Sequence, residues 1–165
     1  MSHAFQTRLD GRPGRFFTWA ELTRTSTGLP NEPDAGHRTN LTVLVQVVLD
    51  PLREHLGKPV RVTSGYRSAQ VNTRIGGSKT SAHMTGEAVD IKVAGMTSGA
   101  LLMAFDNFGI RDYDQLIAYA PSRGGHLHLG IKAGAAPRAR REKLWARSGG
   151  GYEPFNFAKH ALSTS

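Results

Sequence analysis

Two short segments alternate apolar and polar residues so regularly that each reads as a strand with one buried face. In EAVDIKV, residues 87–93, Val89, Ile91 and Val93 fall on one side and leave Asp90 on the other. In HLHLGI, residues 126–131, Leu127, Leu129 and Ile131 do the same. His126 and His128 are then set together on the opposite side, because side chains alternate along a strand. His83 stands seven positions before Asp90, with Gly86 between them. Imidazole nitrogen and carboxylate oxygen are ordinary zinc ligands, and a catalytic zinc takes three protein ligands while keeping a fourth position open. Two such strands, with His83 on the loop ahead of the first, can close a three-ligand site. Alternation by itself does not separate His126 from His128 as the third ligand.

The remainder of the chain reads as a scaffold of mixed type. Its 165 residues are enough for one compact domain with a substantial core. The 19 glycines suit a loop-rich α+β protein better than a helical bundle, and with no cysteine a zinc site must be built from His and carboxylate. Residues 1–15, with Arg8, Arg12 and Arg15 among glycines and a proline, are expected to form a flexible basic arm. The domain is expected over 16–147, and 148–165 as a Gly-rich linker and tail whose Tyr152, Phe155 and Phe157 can dock back.

Thr18 with Glu21 fits a capping box that opens a short helix. The turn-rich STGLPNEPDAGH should wrap the surface, leaving His37 solvated. Leu41, Leu44, Val45, Val48 and Leu52 predict the main core helix over 41–56. Pro51 is expected to kink or interrupt it near Asp50. VRVT, residues 60–63, predicts a strand, Ser68 caps a short helix, and residues 98–108 form a second long helix stopped by Gly109. YDQLIAYA then gives a strand, and PSRGG turns it back into HLHLGIK within an antiparallel sheet.

The net charge of +8 points to an anionic partner. Lys132, Arg138, Arg140, Arg141, Lys143 and Arg147 face only Glu142 along one run, whose plain reading is a solvated face. Nucleic-acid binding would rest on charge alone, since no aromatic–basic interleaving or nucleic-acid motif accompanies it. Residues 1–15 lack the apolar run of a signal peptide, and no stretch is long enough to span a bilayer. A monomer is expected.

SGYRS, Asn72, Gly76-Gly77, SAHMTGEAVDI, DQLI and HLHLG together resemble the zinc D-Ala-D-Ala carboxypeptidase-type peptidases of peptidoglycan. Bacterial cell-wall enzymes and phage endolysins both belong to that group. The resemblance runs from about Phe16 to Trp145 and implies a hedgehog/DD-peptidase-like α+β fold, an antiparallel sheet with flanking helices. It implies Zn2+ on His83, Asp90 and His128, with Arg67 as the cation that steadies a substrate carboxylate or oxyanion. Tyr66 and Ser81 are the candidate substrate contacts, packing being the competing role for Tyr66. Asp114 is a candidate to orient a ligand histidine, with a strand-end salt bridge as its alternative.

The implied function is hydrolysis of an amide bond in peptidoglycan stem peptides, as a carboxypeptidase or an endolysin-type endopeptidase. An anionic wall polymer is a further possible partner. The expected location is the cytoplasm until lysis, or a phage particle, with action at the wall. One position departs from the pattern. Many relatives carry a carboxylate as general base shortly before the last zinc histidine, where this chain has Gly125 or, after DQLI, Tyr119. His126 matches the first histidine of the HxH pair that assists catalysis in lysostaphin-like relatives. The alternative is a catalytically silent, zinc-stabilised module that binds cell wall or protein.

Overall fold

A computed structural model describes residues 8–133 and 140–161. Six strands form one sheet in the order β1-β2-β4-β3-β5-β6. They are β1 (Val60–Ser64), β2 (Ala88–Val93), β3 (Gln115–Tyr119), β4 (Leu127–Gly130), β5 (Glu142–Ala146) and β6 (Tyr152–Pro154). The helices are α1 (Trp19–Thr23), α2 (Ala35–Leu44), α3 (Asp50–Leu56), α4 (Ala69–Arg74), α5 (Ser98–Phe108) and α6 (Phe157–His160). The mixed α+β architecture implied by the resemblance is thus present, a sheet with flanking helices.

The expected alternation decides which side of the sheet is buried. Val89, Ile91, Leu127, Leu129, Leu116 and Ala118 join one core with Leu41, Leu44, Val48, Leu52, Leu102 and Phe105 from the helices. The opposite face carries Asp90, Ile117, Tyr119, His126 and His128 into an open cleft. Every neighbouring pair is antiparallel except β3 with β5, which run parallel. The cause lies at the strand starts. Glu142 N–H donates to the Asp114 carbonyl at 3.0 Å, so β5 begins beside the start of β3 and must run the same way.

The main helix is longer than the apolar pattern suggested. It starts at Ala35, where the Asp34 carboxylate accepts from His37 N–H at 2.8 Å and caps the first turn. His37 therefore lies on this helix and not on a solvated loop, its ring 5.4 Å from that of Tyr66. Pro51 does not break the element. Val45–Leu49 widens into a π turn, in which Asp50 N–H reaches Val45 O, and Pro51 then opens α3 at a position where a missing N–H costs least.

Both ends of the described chain pack more closely than expected. At the end of the expected arm, the Asp50 carboxylate accepts from Arg15 N–H at 2.6 Å, and from Phe16 N–H just beyond it at 3.1 Å. Trp19 Nε1 donates to Gly11 O at 2.9 Å, so residues 11–15 lie against the helical layer. The first seven residues lie outside the described ones. In the expected linker and tail, the glycines make the turn from β5 into β6, and His160 stacks on Trp145 at 4.8 Å. Three buried rings, Trp145, Phe155 and His160, hold this end in place. No helix among the described residues is long and apolar enough to cross a membrane.

Arg140 anchors the start of β5. Its backbone N–H and guanidinium both bond the buried Asp114 carboxylate, at 2.8 Å and 2.6 Å. Burial would push that carboxyl up, but the hydrogen bonds and charge of Arg140 outweigh it and leave Asp114 below its usual range. A carboxyl lowered on folding adds stability that is present above its unfolded pKa of about 3.9 and is lost as pH falls through the lower folded value. Asp114→Asn should therefore melt earlier than the parent at pH 7 and lose less on transfer to pH 3. Thermal scans at the two pH values check this, and equal acid losses would count against it.

Candidate metal centre

β2 and β4 pair with Asp90 opposite His128, so the hydrogen-bond ladder sets the two side chains next to each other on the open face. A bulge between Val62 and Ser64 brings Ser64 opposite Asp90 from the other side. His83 arrives from the 3-10 turn Ala82–Thr85. Gly86 ends that turn at φ +73°, where an added Cβ would lie 2.5 Å from the His37 carbonyl, so only glycine fits. Arg67 N–H donates to the His83 carbonyl at 3.1 Å and ties the turn to the end of β1.

The proton on His83 can be placed. Its Nδ1 lies 2.7 Å from the Gly65 carbonyl, which can only accept. Nδ1 therefore carries the hydrogen and Nε2 offers a lone pair to the centre. Burial pushes this imidazole below its ordinary pKa, against the pull of Asp90, and so favours the neutral, ligand-competent form. Burial would raise the Asp90 carboxyl, but its contacts with the His83 and His128 imidazoles outweigh that and hold it well below the usual range.

Three atoms converge. His83 Nε2 lies 3.2 Å from His128 Nδ1 and 3.3 Å from Asp90 Oδ1, and His128 Nδ1 lies 2.9 Å from Asp90 Oδ1. Ligand atoms bound at about 2.0 Å to one tetrahedral ion stand about 3.3 Å apart. The triangle therefore has the size of one face of a metal's coordination shell, and the cluster can hold a metal ion. Two neutral imidazoles with one carboxylate are a donor set that suits zinc.

The other sequence candidates divide. Arg67 reaches the cleft, but its Nη2 donates to Asp90 Oδ2 at 2.8 Å and its Nε to Ser64 Oγ at 2.9 Å. The guanidinium expected to meet substrate lines the cleft and also grips the carboxylate of the cluster, because the bulge brings Ser64 and Asp90 under it. His126 is at the cluster's edge, with Nε2 3.9 Å from Asp90 Oδ1. Ser81 lines the same cleft of about 530 Å³. Tyr66 does not: it is largely buried against His37 and borders the neighbouring pocket with Ser64 and Arg67. Asp114 is committed to Arg140, so the orienting acceptor for His83 is the Gly65 carbonyl instead.

Two further residues line the cleft. Alternation in QLIAY puts Tyr119 on the face shared with His126, where their rings stack 4.3 Å apart. That pattern could have found it. Tyr152 is expected only to dock back with the tail, and nothing in GGGYEP places it at the cleft, since strand β6 shows itself only through its pairing with β5.

A family model described as Peptidase M15 matches residues 16–129, which include all three residues of the cluster. The chain belongs to the peptidase M15 family. This M15 chain is also 30% identical over 115 residues to a zinc D-Ala-D-Ala carboxypeptidase of Streptomyces albus G. The aligned part is 68% of this chain and 44% of that relative, so the chain spans less than half the relative's length. β5, β6 and α6 lie beyond the stretch that the M15 model matches.

Proposed function

We propose that this M15 chain is a zinc metallopeptidase that hydrolyses an amide bond in peptidoglycan stem peptides. The observation that carries the reading is the triangle of His83, Asp90 and His128 atoms, 2.9 to 3.3 Å on a side, at the floor of an open cleft. Membership of a peptidase family and likeness to a cell-wall carboxypeptidase support the same choice.

His83 Nε2, Asp90 Oδ1 and His128 Nδ1 hold the metal in this reading. Zinc supplies Lewis-acid polarisation of the scissile carbonyl and lowers the pKa of water. Arg67 occupies Asp90 Oδ2, which keeps Oδ1 turned toward the two histidines. His126 Nε2 takes a proton from the attacking water and returns it to the leaving amine. Burial pushes that imidazole below its ordinary pKa, against the pull of Asp90, so it is free to accept a proton near neutral pH. Ser81 contacts substrate from the cleft wall.

The anionic wall polymer finds less support in the basic run. Arg140 pairs with Asp114 and Lys143 with Asp106, so both belong to the fold, while Arg138 lies outside the described residues. A silent zinc-stabilised module is the alternative because the family carboxylate is missing; the place of His126 at the cluster's edge supports the active reading over it.

Mass spectrometry of purified peptidoglycan, incubated with the protein with and without zinc, tests the proposal. Zinc-dependent fragments from stem-peptide cleavage are expected. Unchanged muropeptides under both conditions would favour the silent module.

A further inference from the structure

The proton-transfer residue needs its ring held at a fixed angle, and the strand beside it supplies the means. Tyr119 pairs with His126 across β3 and β4, its N–H donating to the His126 carbonyl at 3.0 Å. The two rings lie 4.3 Å apart and within 19° of parallel. A stack of that kind leaves the imidazole edge free but resists tilting of the ring out of its plane, since such a tilt would drive it into the phenol.

Tyr119 is itself fixed on its far side. Its hydroxyl shares a hydrogen bond with that of Tyr152 at 3.3 Å. The Arg123 guanidinium lies 5.1 Å from the Tyr119 ring centre and 5.5 Å from that of Tyr152. Arg123 in turn donates to Gly151 O at 3.4 Å, in the turn that joins β5 to β6. The hairpin beyond the family match thus braces a residue of the cleft. Burial, followed by the Tyr152 hydrogen bond, raises the Tyr119 phenol well above its ordinary pKa, so it stays a neutral ring and is no candidate base.

We propose that Tyr119 is a positioning residue whose ring face, clamped by Tyr152 and Arg123, holds His126 in the orientation its proton transfer requires. The inference rests on the role given to His126 above. It predicts that the ring matters more than the hydroxyl, and that Tyr119 matters only through His126.

The test uses the full zinc-loaded chain, with kcat and KM measured on a soluble stem peptide and zinc content measured for each variant. Tyr119→Leu should lower kcat by about tenfold or more, the scale of a misaligned catalytic group, with KM nearly constant and zinc retained. Tyr119→Phe should stay within about threefold of the parent, the scale of one half-exposed hydrogen bond. In a His126→Ala background, Tyr119→Leu should cost nothing further, because residues acting as a unit are not additive. An NMR signal of the His126 ring, shifted by the stacked phenol, should persist in the Phe variant and move in the Leu variant whatever the activity.

Parental kcat in Tyr119→Leu, equal damage from Phe and Leu, or an additive double variant would each overturn the inference. If His126→Ala alone keeps full kcat, the failure belongs to the proton-transfer reading, and the positioning role falls with it.

Discussion

Asp90→Ala is expected to emerge without zinc and without activity. The carboxylate is 6% exposed and stands where His83, His128 and Arg67 meet. Oδ1 faces His83 and His128, while Oδ2 receives Arg67. Removing it takes away a ligand, and metal affinity should fall beyond the 10- to 100-fold typical of losing a supporting residue. It also strands the largely buried Arg67 guanidinium, which should cost on the order of 3 kcal/mol of stability, as when one partner of a buried pair is deleted. Asp90→Asn separates the two effects, since it keeps the shape and can still accept from Arg67 while losing the charge. Elemental analysis beside a thermal melt reads both. Undiminished zinc in either variant would mean that the centre lies elsewhere.

The second large effect distinguishes two histidines that share one strand face. His128→Ala should lose the metal, because its Nδ1 completes the triangle at 2.9 Å from Asp90 Oδ1. His126→Ala should keep the metal, since its Nε2 is 3.9 Å from the same oxygen and its ring is held instead against Tyr119. Its rate should nevertheless fall by on the order of 10² to 10⁴, the usual range for a general acid–base group. Zinc content and turnover measured on both variants decide the matter. The reverse pattern of metal loss would exchange the two roles, and a fully active His126→Ala would place the proton carrier at another residue.

Much of this arrangement was legible because two periodicities carried it. Alternation in EAVDIKV and HLHLGI put Asp90 and His128 on the open face, and a resemblance to peptidoglycan peptidases singled out His83. What the chain text hid depended on contacts distant in sequence. Nothing near Arg67 announces that a bulge will bring Ser64 and Asp90 beneath its guanidinium. In sequence Asp114 fits a ligand histidine as well as a salt bridge, and its partner Arg140 comes from a basic run whose spacing points only to a solvated face. The start of the main helix was missed because its first turns expose polar residues and depend on the Asp34 cap instead of an apolar stripe. The C-terminal hairpin was read as linker since glycines dominate its turn, while the rings that dock it are few and widely spaced.

The pairing of β4 between β2 and β3 has one more consequence. A slip of one residue against β2 would bring Leu127 or Leu129 opposite Asp90, and would turn His126 and His128 toward the core. That misalignment is penalised twice, by leucines left in water and by imidazoles left without it. Both neighbours of β4 enforce the same alignment, since Leu116 and Ala118 lie opposite Leu129 and Leu127 on the other side. Assembly errors in this region are therefore filtered out by oil-and-water sorting alone, before any ion arrives, and a correctly folded chain has its reactive groups in line by default.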